Sequence, residues 1–129
     1  MNEPLVWLPF APEELGQVPS GLRYEHVRTD PGVSLPASIA DVEFFVPAYS
    51  FDIDLTCMTR MPRLRVVQSL TAGVDHLVPH VPTGVQVCTG RGIHDTSTAE
   101  LAMTLMLASL RGVPDFVRSQ ERGQWSYGP

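Results

Sequence analysis

The stretch from Leu64 to Arg111 constrains the fold more than any other part of this chain. It reads LRVVQSLTAGVDHLVPHVPTGVQVCTGRGIHDTSTAELAMTLMLASLR, and sets a strand, a glycine-containing turn, a second strand and an apolar helix in close succession. In an open α/β sheet, the turn at the carboxyl end of a buried strand is where ligands bind, with backbone N–H groups free to meet an anion. The segment Ser69-Leu70-Thr71-Ala72-Gly73 is such a turn.

Three further apolar runs precede it. Leu5-Val6-Trp7-Leu8 predicts a buried strand closed by Pro9, Arg23 to Val27 alternates as a more exposed strand, and Val42 to Val46 predicts a third that ends at Pro47. Leu64 to Gln68 and Val85 to Cys88 supply the fourth and fifth. Short helical segments are expected at Pro12 to Leu15, Pro36 to Ala40 and Asp52 to Arg60. Strands that alternate with helices build a parallel sheet covered on both faces, so the expected class is α/β with a flavodoxin-like or Rossmann-like layout. The region Gly21 to Ala37 has no helical period and is expected at an irregular edge of the domain.

The expected helix Thr98 to Arg111 has both ends written in the sequence. Ser97-Thr98-Ala99-Glu100 fits a capping box, Gly112 stands where a left-handed cap is wanted, and Pro114 forbids continuation. Its body, from Ala99 through Leu110, is apolar on nearly every side. Such a helix must be surrounded, which points to a partner surface. Pro114 to Arg122 predicts a second helix closed by Gly123, and the tail Gln124 to Pro129 carries no further signal.

With 129 residues, 43% hydrophobic and 18% charged, the chain is large enough for one ordinary domain core and shows no mark of disorder. A net charge of −5 with scattered basic residues argues against a nucleic-acid partner. Arg60, Arg63 and Arg65 form the only basic cluster, open to a solvated or an anion-contacting role. Cys57 and Cys88 lack zinc spacing and are expected as reduced thiols, so no metal is expected. The N-terminus lacks a signal-peptide pattern, and no apolar run reaches the roughly 18 residues of a membrane span. The cytoplasm is the expected compartment.

Several residues could carry chemistry. Gly90-Arg91-Gly92 invites a dinucleotide fingerprint, but Asp95 occupies the third glycine position, where a carboxylate would repel a pyrophosphate. That leaves a loop leading into a capped helix. His26, His76 and His80 lack a paired carboxylate at metal or catalytic spacing. His94 is open to a structural or a substrate-lining role, and Tyr49 and Ser50 to a plain loop or the same carboxyl-end crevice. Asp75 is expected to cap a short helix, Asp75 to Val78.

Leu64 to Val67, the turn Thr71-Ala72-Gly73-Val74-Asp75, the strand Val85 to Cys88, and Thr98-Ala99-Glu100 before a long apolar helix ending in Leu110-Arg111 together resemble the D-isomer-specific 2-hydroxyacid dehydrogenases. The order and spacing of all four pieces agree. The resemblance implies a flavodoxin-like substrate domain over 1–97. Over 98–129 it implies a hinge helix and a following segment that pack on a Rossmann nucleotide domain not contained in this chain. It further implies that Thr71, Ala72, Gly73, His94 and Tyr49 meet the substrate, with Ala72 and Thr98 near the cofactor. The position matching Ser69 is often an arginine in the family, so one anion contact is in doubt here.

The reaction implied is hydride transfer between NAD or NADP and a small D-2-hydroxy or 2-keto acid. It needs a histidine to move the alcohol proton, a carboxylate to raise that histidine's pKa, and an arginine to polarise the carbonyl. In the family these lie beyond the position matching Pro129, so the chain is expected to be inactive alone, and the longer protein is expected to be a homodimer. The alternative is a stand-alone flavodoxin-like binding or regulatory module. A flavodoxin proper would carry a phosphate loop where Phe10-Ala11-Pro12 stands.

Overall fold

The computed structural model describes residues 3–50, 52–125 and 127. Each of the five expected strands is present: β1 (Leu5–Leu8), β2 (Arg23–His26), β3 (Val42–Phe45), β4 (Val66–Gln68) and β5 (Gln86–Cys88). They pair in parallel in the order β2-β1-β3-β4-β5. This is the flavodoxin-like order, and such sheets take their ligands beyond the carboxyl ends of the strands. Central β1 is buried along its whole length, whereas β2 at the edge alternates between exposed and half-buried residues.

Side chains on a strand point alternately to the two faces. Leu5 and Trp7 therefore enter the larger core, with Val42, Phe45, Met58, Val67 and Leu77, while Val6 and Leu8 join Val46 in a smaller cluster on the other face. Val42 and Phe45 share a face despite their odd spacing because the register slips there: Leu5 pairs with Val42 but Val6 pairs with Phe44. Glu43 is the extra residue of this bulge. Its carboxylate takes Arg63 at 2.6 Å and Arg65 at 3.9 Å, and Arg63 also reaches Asp41 at 3.5 Å. Arg63 and Arg65 thus clamp neighbouring strand ends at the surface. The indole N–H of Trp7 donates to Glu25 at 3.0 Å, so the fully buried ring leaves no orphan donor.

The short connecting helices are 3-10 rather than α. They span Pro12–Leu15, Ala37–Asp41, Leu55–Arg60 and Val78–His80, lengths at which the tighter winding is common. Asp54 caps the third, its carboxylate accepting from the Thr56 N–H at 2.9 Å. The segment expected to start at Asp75 begins instead at Val78, because the N–H groups of Leu77 and Val78 both return to the Val74 carbonyl and form a turn first. Among the described residues of the first unit, helices contribute Ile39, Leu55, Cys57 and Met58 to the larger core. The smaller cluster draws on strands and loops, including Phe10, Leu22, Tyr24, Phe44 and Leu70.

The chain divides into two compact units, Met1–Arg91 and Gly92–Pro129. The second holds α1 (Asp95–Leu110) and α2 (Val113–Glu121). Helix α1 starts earlier than the capping-box reading placed it. His94 is its N-cap, and Ser97 lies in the first turn with its hydroxyl donating to the His94 carbonyl at 3.0 Å. A serine inside the first turn bonds backward in this way instead of capping. At the other end Gly112 has φ +62° and opens α2, with Pro114 in the first turn. Of the tail, Ser126, Gly128 and Pro129 lie outside the described residues.

Candidate functional site

The turn after β4 is held from below and open above. Ser69 is 2% exposed, its N–H donates to the Cys88 carbonyl at 2.8 Å, and its hydroxyl meets both the Thr71 hydroxyl at 2.8 Å and the Thr71 N–H at 3.0 Å. The Thr71 hydroxyl donates to the Gly73 carbonyl at 2.6 Å, and buried Gly90 donates to the Thr71 carbonyl at 2.7 Å. The loop after β5 thereby fixes the stem of the loop after β4. Among the described residues, no acceptor meets the backbone N–H of Ala72 or Gly73, and both residues are exposed.

Gly73 needs no side-chain-free position for the sake of the fold. Its φ is not positive, and a Cβ added there would meet nothing closer than Asp75 Oδ2 at 3.9 Å. The open space is on the side away from the protein, where a ligand can approach the backbone closely.

Beside the turn lies a cavity of about 590 Å³ beyond the carboxyl ends of β3 and β4. That volume suits a small-molecule site. Pro47, Ala48, Tyr49 and Ser50 from the β3 loop form one wall, and Ser69 to Thr71 with Gly73 form another. Ile53 and Leu55 contribute apolar surface, and Asp75, His76 and His80 complete the lining. Three of the expected site residues, Tyr49, Thr71 and Gly73, are therefore brought together, with Ala72 at the exposed turn between the last two.

The remaining two belong to the second unit. The His94 carbonyl accepts from the Thr98 N–H at 3.0 Å, and both residues are exposed at the start of α1. Sequence reasoning set aside His76 and His80, which line the cavity. Their i, i+4 spacing directly after the glycine turn is the signal that could have marked them, because such a pair returns to one side of a helical turn.

Ser69 cannot replace the arginine that the resemblance places there, since it is buried and its hydroxyl is engaged. The loop around Gly90-Arg91-Gly92 makes no pyrophosphate cradle either: Gly90 is buried against Thr71, and Asp95 puts a carboxylate in the first turn of α1. No group of three or more His, Cys, Asp or Glu among the described residues is placed to hold a metal ion. Cys57 and Cys88 are both free thiols. Burial, and then the carboxylate of Asp54, push the Cys57 thiol up to about 11, with Arg60 opposing. Cys57 is an inert core residue.

No family model matches the chain. It is 37% identical over 65 residues to a mouse glyoxylate reductase/hydroxypyruvate reductase, an alignment covering 49% of this chain and 20% of that protein. A glyoxylate reductase of Pyrococcus furiosus is 33% identical over 113 residues, covering 79% and 31%. A D-3-phosphoglycerate dehydrogenase of Methanocaldococcus jannaschii is 29% identical over 117 residues, covering 88% and 21%. The chain thus spans less than a third of the length of these curated relatives. Among solved structures, a D-isomer-specific 2-hydroxyacid dehydrogenase from Xanthobacter autotrophicus, in complex with NADPH and MES, superimposes with a TM-score of 0.73 at 23% identity over 98% of this chain and 42% of that one. Over most of its length, this chain is similar to members of the D-2-hydroxyacid dehydrogenase family.

Proposed function

We propose that the chain is the substrate-binding part of an oxidoreductase that transfers a hydride between NAD(P) and a small D-2-hydroxy acid or its 2-keto acid. The observation that carries this reading is the Thr71 to Asp75 turn: two unpartnered N–H groups beside a cavity, at the carboxyl end of a parallel strand, in a chain whose relatives are hydroxyacid dehydrogenases. Ala72 and Gly73 receive the substrate carboxylate, while Tyr49 and Thr71 shape its surroundings. Ala72 and Thr98 approach the nicotinamide cofactor, which supplies or accepts the hydride when bound to a domain outside this chain. NADPH in the Xanthobacter structure supports that cofactor class.

Within this reading α1 is a hinge helix whose apolar surface is covered by the nucleotide domain. Leu101, Met103, Leu105, Met106 and Leu107 are all more than half exposed, which supports a missing cover. The whole protein is a cytoplasmic homodimer in this proposal, and no described helix is long and apolar enough to cross a membrane. The chain alone binds and orients an acid but does not reduce it. Titrating NADH into the chain is expected to show no saturable binding in the micromolar range, and tight binding there would sink the proposal. The alternative, a binding module without catalysis, predicts the same titration but no preference for 2-hydroxy or 2-keto acids.

A further inference from the structure

The cavity next to the Ala72-Gly73 turn has a composition that selects among acids. Ala48, Ile53, Leu55 and Leu70 supply apolar surface, and the hydroxyls of Ser50, Ser69 and Thr71 that share the lining are engaged within the protein. The Ser69 and Thr71 hydroxyls bond to one another, and that of Thr71 donates to the Gly73 carbonyl. Ser50 Oγ accepts from the Asp52 N–H at 3.2 Å, and Tyr49 also has a partner.

The charges are equally selective. All nine basic residues of the chain are arginines, and none lines the cavity. Arg63 and Arg65 are paired with Glu43. A phosphate group would meet the carboxylate of Asp75 with only His76 and His80 to offset it. Bidentate recognition of phosphate is the task of arginine, and this chain's share of the lining offers none. Glyoxylate, with no side chain at all, would leave the apolar surface against water.

We infer that the acid taken by this site carries an uncharged, apolar side chain of the size of a branched aliphatic or phenyl group, held against Ala48, Ile53, Leu55 and Leu70. The inference rests on the reading of the Ala72-Gly73 turn as the carboxylate site. Its side-chain preference differs from what the names of the glyoxylate and phosphoglycerate relatives would give.

The test is a titration of the isotope-labelled chain with glyoxylate, 3-phosphohydroxypyruvate, 2-oxoisocaproate and phenylpyruvate, following the Ala72 and Gly73 amide signals. Each buried methylene is expected to tighten binding about fourfold, so 2-oxoisocaproate binds at least tenfold more tightly than glyoxylate and the phosphorylated acid binds worst. Ala48→Leu should weaken phenylpyruvate about tenfold and leave glyoxylate unchanged. Equal or tighter binding of glyoxylate or of the phosphorylated acid overturns the inference and leaves the carboxylate site standing, as does an equal loss of both acids in Ala48→Leu. If no acid moves those two amides, the carboxylate reading itself fails.

Discussion

Gly73 separates what the fold requires from what a ligand would require. Its backbone lies outside the left-handed region, and the nearest atom to an added Cβ is 3.9 Å away. Gly73→Ala is therefore expected to leave stability unchanged or raise it by about 0.4–1 kcal/mol through the unfolded chain. Acid binding should fall at least tenfold, because the methyl group occupies the approach to the N–H groups. Paired thermal unfolding and acid titration check this, and a variant that binds normally removes Gly73 from the site. The Thr-Ala-Gly turn was legible in the sequence because glycine after a buried strand punctuates the chain. The engagement of Ser69 was not, since it depends on the Cys88 carbonyl and on Thr71.

Cys57 makes a prediction of the opposite kind, about stability alone. Its folded pKa is raised above the ordinary 9.0 to about 11, so the neutral thiol is favoured by the fold. That contribution is fully present below pH 9 and is lost as pH rises from 9 through 11, amounting to about 2–3 kcal/mol. Denaturant unfolding should show the loss in the native protein relative to Cys57→Ala across that window. Parallel pH profiles for the two proteins would contradict it.

At the scale of elements, the interior strands β1, β3 and β4 were legible because each lies in a short, largely apolar run bounded by Pro, Gly or polar residues, as at Leu5–Leu8 before Pro9. The helix termini were less so. Ser97 and Glu100 satisfy the letter of a capping box, yet the helix begins at Asp95, because three residues more of helix outweigh one side-chain cap. Helix α1 has no buried residue, so its apolar character is not explained by the packing of its own unit. The chain is accordingly expected to self-associate in sedimentation as concentration rises, with Leu105→Glu weakening association at least tenfold. A monodisperse monomer at all concentrations would count against an uncovered apolar surface on α1.

For the whole molecule, the parallel order β2-β1-β3-β4-β5 brings the loops after β3 and β4 side by side, and that adjacency creates the cavity. Sequence reading could place Tyr49 and Gly73 at strand ends, but only the pairing of Phe44 with Val66 and Phe45 with Val67 makes those ends neighbours. His76 and His80 were set aside for want of a paired carboxylate, and their relation to the cavity is set by the turn through Val74. The central claim is that this edge of the sheet receives a carboxylate through backbone N–H groups. Its most direct measurement compares a 2-hydroxy acid with the corresponding primary amide, following all backbone amide signals. The acid is predicted to shift Ala72 and Gly73 saturably while the amide does not, and equal response to both, or shifts confined to other regions, would contradict the account.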